Sequence, residues 1–343
     1  MSTNFDVVEL SPEHLGGAFD LWGELWGGGP KRNRAYAEWK FVHNPAPMTA
    51  RIAAARVDGR IVGLAAAHGS RWRLDGHDLV IPIVGDLVVD RHRAPSTTFV
   101  ALLERLAERL ASDGHRLMVD LAQGSYVPTM LMHRWRATTP RTTARRTGPP
   151  MRRTRLGRSM GPFGQLDRQR IADLTVSRPR SGSEWTRRLA EDGAVDAIEP
   201  VRDQAFWRWR LANPLADYRV VEFAGPDHQA SALLAINRPT CHLGIAHLVE
   251  WTGTRAGRLG LLRALDPVAP PELIAWPRHL DDVDLLHDAA FEIDQPSGRL
   301  VSDAKRPAVL VRSLHSSTAS WGDGSPADPL SRWAPPVIAF DEH

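Results

Sequence analysis

One phrase occurs twice in this chain of 343 residues. Residues 35–45 read AYAEWKFVHNP, and residues 205–214 read AFWRWRLANP. Both run Ala, aromatic, two residues, Trp, a basic residue, then a short stretch ending in Asn-Pro. Trp39 and Trp209 stand 170 positions apart, half of the chain. A repeat of that period is a duplicated domain, not a solenoid. The phrase is followed each time by strand-like runs, ARIAAARVDGRIVGLAAA in the first half and YRVVEFAGPDHQASALLAI in the second. The expectation is two equivalent domains with Trp39 and Trp209 buried at matching positions.

Size and composition agree with two cores. Chains beyond one core's capacity divide into domains. Hydrophobic residues at 43% and charged residues at 24% are ordinary for a globular protein. No window approaches 18 apolar residues, so no membrane span is expected. MSTNFDVVEL lacks the basic and apolar regions of a signal peptide, and the expected location is cytoplasmic. The one cysteine, Cys241, excludes an internal disulfide and a cysteine zinc knuckle. Of the 43 basic residues only Lys31, Lys40 and Lys305 are lysines.

The first half gives a readable element order. Phe5–Leu10 alternates like a strand, and Pro12–Trp26 has helical spacing, with Ser11 as cap and Glu13 in its first turn. Gly27-Gly28-Gly29-Pro30 ends it. Arg51–Val57 and Arg60–Ala67 flank Asp58-Gly59, a hairpin signal. Ile81–Val89 is long and apolar enough for a buried strand. Phe99–Ala111 carries Phe99, Leu102, Leu103, Leu106 and Leu110 on one helical face. His115–Ala122 reads as a strand and Tyr126–Trp135 as a helix with Pro128 in its first turn.

Three stretches, taken in this order, resemble the GCN5-related N-acetyltransferase (GNAT) family: the Trp39…Asn44-Pro45 phrase, the Val57–Gly63 hairpin, and GDLVVDRHR before a leucine-rich helix. The second half follows through WRWRLANP and through AHLVEWT before Leu259–Leu265, which is similar to the tandem subgroup. The resemblance implies an α/β (α+β) fold of two tandem GNAT-like domains, each a mixed, mostly antiparallel sheet flanked by helices. The expected boundaries are residues 1–163 and 184–343, with 164–183 as linker and an irregular tail at the end of the second domain. It implies acetyl-CoA or another acyl-CoA as co-substrate, with backbone groups of Leu87, Val88 and Val89 pairing with the pantetheine arm. The family's pyrophosphate turn falls on Arg93, Ala94, Pro95, Ser96, Thr97 and Thr98. Arg93 and the three hydroxyls are suited to phosphate. Both glycines that let backbone N–H groups close on phosphate are missing, and Pro95 removes a donor.

Candidate acids and bases come next. Asp86 is the only charge in IPIVGDLVV, and Glu250 holds the corresponding place in LVEWT. A carboxylate among apolar neighbours tends towards a raised pKa, which suits the deprotonation of an amine. Asp120, in MVDLA, is a third such acid. A buried ion pair is the alternative for each. The family's thiolate-protonating Tyr, just before a Gly-aromatic pair, is absent ahead of Trp135. His133 is the nearest titratable group, with Tyr126 two turns earlier.

Between Arg134 and Arg170 stand eleven arginines and a single acid, Asp167. That stretch is either an extended strand and linker joining the halves, with its arginines on the solvated side, or a phosphate-binding belt for the CoA 3′-phosphate or a tRNA backbone. Cys241, His242 and His247 are too sparse for a metal site, and the His279–His287 acidic cluster reads as a solvated surface, so no metal is expected. The leading expectation is an acyltransferase acting on a small-molecule amine. The alternatives are an aminoacyl-tRNA-dependent transferase and a degenerate, non-catalytic binding protein.

Overall fold

The computed structural model describes residues 5–11, 15–27, 29–74, 76–122, 126–137, 143–147, 168–171, 173–179, 186, 199–225, 228–237, 245–265, 272–275, 280–294 and 308–314. They form two compact units. One comprises 1–140, 195–201 and 298–333, and the other 141–194, 202–297 and 334–343.

The first unit opens with strand β1 (Phe5–Leu10), a 3-10 turn over Gly16–Ala18 and helix α1 (Phe19–Trp26). Gly27, at φ 64°, stops α1 in the left-handed conformation that glycine tolerates best. Pro30 starts helix α2 (Pro30–Ala37), which runs into one π-helical turn at Glu38–Val42. Strands β2 (Arg51–Val57) and β3 (Arg60–Leu74) turn at Asp58-Gly59, both at positive φ, as a right-twisted hairpin requires. After β4 (His77–Val89) come helix α3 (Thr98–Ser112), strand β5 (Leu117–Ala122), helix α4 (Tyr126–Met132) and the short β6 (Arg136–Ala137).

The chain then passes to the other unit. Strands β7 (Thr143–Thr147), β8 (Arg168–Ile171) and β9 (Leu174–Ser177) precede β10 (Glu199–Pro200), which pairs with β3 at Arg73 and Trp72. The second unit continues with helix α5 (Gln204–Leu211), strands β11 (Ala216–Ala224), β12 (Gln229–Asn237) and β13 (Ile245–Gly253), and helix α6 (Arg255–Leu265). Strand β14 (Glu272–Ala275), helix α7 (Leu280–Asp288), and strands β15 (Glu292–Asp294) and β16 (Ala308–Ser313) complete the described elements.

Each unit holds one mixed sheet. The first has the order β1-β2-β3-β4-β5-β16-β6, and the second β8-β9-β11-β12-β13-β14-β7-β15. The only parallel neighbours among the described strands are β4 with β5 and β13 with β14. β16, from the far end of the sequence, lies between β5 and β6, while β7, from the first half, lies between β14 and β15. The first sheet thus takes β16 and the short β10 from beyond residues 164–183, and the second takes β7 from before them. Hydrophobic periodicity marks a strand but says nothing about which edge it joins.

The two cores pack a helix on a sheet of small residues. Leu102, Leu103, Leu106 and Leu110 of α3 meet Ala53, Ala55, Ala65 and Ala67. A Cβ on Gly63 would come within 3.0 Å of Leu102 and Thr98, so this glycine admits α3. In the second unit the concession lies on the helix. A Cβ on Gly257 would stand 2.5 Å from the Gln229 carbonyl oxygen.

Candidate active site

The repeated phrase is repeated in structure. Asn44 Oδ1 accepts the Ala46 N–H (2.8 Å), and Asn213 Oδ1 accepts the Leu215 N–H (2.9 Å), so each Asn-Pro forms the same side-chain-closed turn. The first copy has one residue more, and the π turn absorbs it: His43 N–H reaches back to the Glu38 carbonyl at 2.9 Å. Such turns concentrate at functional sites. Trp39 is buried, whereas Trp209 is half-buried and Trp207 takes the core position in its copy.

Lys40 lies in that π turn, 4% exposed, and Asp86 receives it. Lys40 Nζ stands 2.7 Å from Asp86 Oδ2 and also reaches the Tyr36 hydroxyl at 3.3 Å. The approach to Oδ2 is short but badly aligned for a hydrogen bond, leaving that oxygen's hydrogen-bonding direction unused. Trp26 Nε1 donates to the other carboxylate oxygen (2.8 Å), and Trp22 Nε1 donates to the Asp86 backbone carbonyl (3.0 Å). Trp22, Trp26, Tyr36, Trp39 and Phe41 pack in series around the pair, with centroid separations of 4.7–5.4 Å. The sequence named Asp86 and foresaw an arginine as its alternative partner. The partner is one of three lysines, and no local pattern around residue 86 points to position 40.

The backbone at Asp86 is also special. Its φ is 52°, and the β3–β4 register slips there, between Leu64 and Ala66. This is a β-bulge, which bends its strand. Pairing of β4 with β5 is confined to Ile83↔Val119 and Val84↔Asp120. Beyond Val84 the two parallel strands part, with buried Asp120 at the last paired position. The Asp90 N–H donates to the Val62 carbonyl at 2.8 Å. By strand alternation Val88 also faces β3, and Leu87 and Val89 turn their backbone groups to the parted side.

The connection from β4 to α3 has eight residues, and most of its donors turn inward. Asp90 accepts the N–H of Ala94 and Arg93 on its backbone oxygen, and that of His92 on its carboxylate. The Arg93 guanidinium, at 2.7 Å, and then the His92 N–H hold the Asp90 carboxyl below the usual carboxylate range. Thr98 N–H is used by the Pro95 carbonyl, and Thr98 itself is buried. Ser96 and Thr97 are exposed, and Ala94 is half-buried. Arg91 donates to the Tyr126 hydroxyl (3.4 Å), and the Tyr126 ring stacks on Phe99 at 4.8 Å. For an acyl-CoA, the parted strands fit the pantetheine arm. The turn is a poor cradle for the diphosphate, because three N–H groups are bound to Asp90 and Pro95 has none.

His133 sits on the turn after α4, half-buried, and Arg134 follows at φ 67° in place of the family's glycine. The helix ends three residues earlier than its apolar pattern suggests.

The second unit repeats the bulge with other partners. The β12–β13 register slips between Leu233 and Leu234, and β13 pairs with β14 only as far as Leu248. Glu250 follows the slip, and Arg202 Nη1 donates to its Oε1 at 3.1 Å, both side chains buried. A single residue, Thr254, joins β13 to α6, and its hydroxyl accepts the Gly257 N–H. Gly257 and Gly260 serve close packing: a Cβ on Gly260 would stand 2.6 Å from the Phe223 ring.

The basic stretch falls mostly outside the described residues. Its described core, β7, is the extended strand one reading expected, but it lies inside the second sheet, with Arg145 exposed and Arg146 not on a solvated side. Arg146 is buried, donates to the Leu262 carbonyl (2.9 Å) and lies over Phe291. Arg134, Arg136 and Arg145 are exposed. Cys241, His242, His279, Trp321 and Trp333 lie outside the described residues. Asp282 is ion-paired with Arg258, and among the described residues no group of three metal-ligating side chains gathers. No described helix is long and apolar enough to cross a membrane.

No family model and no curated protein matches the sequence. Solved structures do. A conserved protein of unknown function from Enterococcus faecalis V583, a probable N-acyltransferase, matches with a TM-score of 0.60 at 12% identity, over 91% of this chain and 73% of its own. A GCN5-related N-acetyltransferase from Anabaena variabilis ATCC 29413 gives 0.58 at 9% identity, over 91% and 73%. A tandem GNAT protein from the clavulanic acid biosynthesis pathway gives 0.55 at 14%, over 92% of this chain and all of its own. At such identities the likeness is one of fold, and the chain has the tandem GNAT architecture: two mixed, mostly antiparallel sheets, each flanked by helices.

Proposed function

We propose that the protein is an N-acyltransferase whose first unit moves an acyl group from an acyl-CoA to the amine of a small molecule. The observation that carries this reading is the parting of β4 from β5 beyond Val84, directly at the bulge that presents Asp86. A bound thioester supplies an activated carbonyl and a thiolate leaving group. Leu87 and Val89 offer backbone groups to the pantetheine amides. Ser96 and Thr97, exposed just before α3, would meet the phosphate end where a helix N-terminus favours anions, with Arg93, also held by Asp90, close in sequence. Asp86 takes the proton from the attacking amine. Tyr126 returns one to the thiolate, since its hydroxyl is held by Arg91 just past β4. His133 lies seven residues further on, about 10 Å along a helix.

Thermal denaturation with acetyl-CoA tests the reading. Ligand at ~100 times its dissociation constant adds about 2.7 kcal/mol. An unchanged melting temperature at millimolar acyl-CoA rejects it.

The turn closed on Asp90 supports a second reading, in which the donor ends in something other than a diphosphate. An aminoacyl-tRNA is such a donor, with exposed Arg134 and Arg136 at the start of the basic stretch. Binding of aminoacyl-tRNA without any acyl-CoA response selects it. Binding of neither leaves a non-catalytic protein.

A further inference from the structure

A lysine ammonium is strongly hydrated, and its burial is costly without a partner. Lys31 is exposed; Lys40 is 4% exposed, beside a carboxylate and among aromatic rings. Its Nζ stands 5.5 Å from the centroid of Tyr36 and 6.0 Å from that of Phe41. A carboxylate with ring faces is how a protein recognises a free cationic amine. A Cβ on Gly85 would lie 4.0 Å from Nζ, so the ammonium rests over the first residue beyond the β4–β5 pairing. The molecule's own primary amine therefore sits at the apex of the cleft, beside the carboxylate that would deprotonate an acceptor.

We infer that Lys40 Nζ is itself an acyl acceptor, and that the protein acylates itself there once from a thioester held between β4 and β5. This rests on the donor site proposed above. Lys40 passes one proton to Asp86, and the neutral amine attacks the thioester carbonyl. A C–N bond forms as the C–S bond breaks. The second Nζ proton balances the charge on the departing thiolate, giving an amide and a free thiol. The amide is uncharged, so the ion pair with Asp86 is lost and the aromatic box is freed for another cationic amine. The resulting amide does not react further, so the modification is stoichiometric and sets the state of the site.

The three lysines make the test clean. The full chain is incubated separately with acetyl-CoA and with S-acetyl-N-acetylcysteamine, a thioester that needs no phosphate contact, and peptides are mapped by mass spectrometry over time. One acetyl group on Lys40, gained faster than on exposed Lys31, is expected from both. Lys40→Arg retains a cation for Asp86 and gains none. Asp86→Asn, confirmed folded by circular dichroism, loses about 10²-fold or more in rate, the usual worth of a positioned base. Acetylation by the short thioester but not by acetyl-CoA keeps self-acylation and removes the CoA site. A rise in melting temperature with acetyl-CoA while Lys40 stays unmodified keeps the CoA site and overturns self-acylation. No Lys40 adduct from either thioester, or equal labelling of Lys31 and Lys40, also overturns it.

Discussion

Each unit places an acid two residues past its last parallel pairing, Asp86 inside a bulge at positive φ and Glu250 in the ladder just after one, and the two are then treated differently. Asp86 is paired with a lysine from the repeated phrase, and Glu250 with Arg202, outside it. A guanidinium stays charged at any working pH, and Arg202 holds Glu250 in a buried ion pair. An ammonium can give up its proton, as the self-acylation inferred above requires of Lys40. The strand-to-helix connection differs as well: eight residues after β4 and one after β13. Eight residues leave room for a turn beside a donor, although this one is closed on Asp90, and a single threonine leaves none. The proposed function thus assigns the chemistry to the first unit and leaves the second with a buried ion pair and closely packed glycines at the matching place.

Substituting the acids is the strongest way to break this contrast. Asp86→Asn removes the carboxylate charge beside buried Lys40, and Glu250→Gln removes the one beside buried Arg202. Each should cost about 3–5 kcal/mol of stability by chemical denaturation. Only Asp86→Asn should also lower acyl transfer, by about 10²–10⁴ in kcat at a temperature where both variants are folded. Equal losses of turnover would erase the distinction between units.

A smaller effect tests the turn. Asp90→Ala removes the carboxylate that holds the His92 N–H and the Arg93 guanidinium, leaving the Arg93 and Ala94 N–H groups on the backbone oxygen, and should tighten acyl-CoA binding by about tenfold in calorimetry. Weaker binding would mean that Asp90 shapes the cradle and does not close it. The wild-type tie should be insensitive to pH above the ordinary carboxylate value of 3.8. Asp90 is shifted below that value, so its contribution is lost only as the pH falls through the lowered pKa.

The smallest effect lies at the opposite end of β4. There a cavity of about 440 Å³ is lined by His77, Leu79, Ile81, His115 and Leu117, among others. Burial, partly opposed by the Asp113 charge, lowers the His115 pKa from its ordinary 6.5. A depressed folded-state value means that stability is complete above 6.5 and declines as the pH falls through the lowered pKa. His115→Gln should flatten that shallow slope in melting temperature between neutral and mildly acidic pH. An unchanged slope would assign it to another group.

Much of this architecture was legible in the sequence, for reasons visible at particular residues. Asp58-Gly59 fixes a hairpin through φ alone, and the leucines of α3 mark one face. The phrase at Trp39 and Trp209 announces the duplication. The exchange of β7 and β16 was not legible, because TARRT and AVLVRS state strand propensity without naming a neighbour. Asp86 was legible as an isolated charge in an apolar run. Lys40 was not, although the extra residue in the first phrase was visible. That residue becomes a π turn, and the contact it makes with Asp86 spans 46 positions. The missing glycines of the turn were plain, but a lone Asp90 in the sequence does not show that it captures the turn's N–H groups.

The central claim is that the donor enters between β4 and β5 of the first unit and not at the matching place in the second. Amide hydrogen exchange of the full chain, with and without saturating acetyl-CoA, tests it most directly. The account predicts new protection at Leu87 and Val89 and none at Val249–Gly253. Protection confined to β13, or none in either unit, would contradict it.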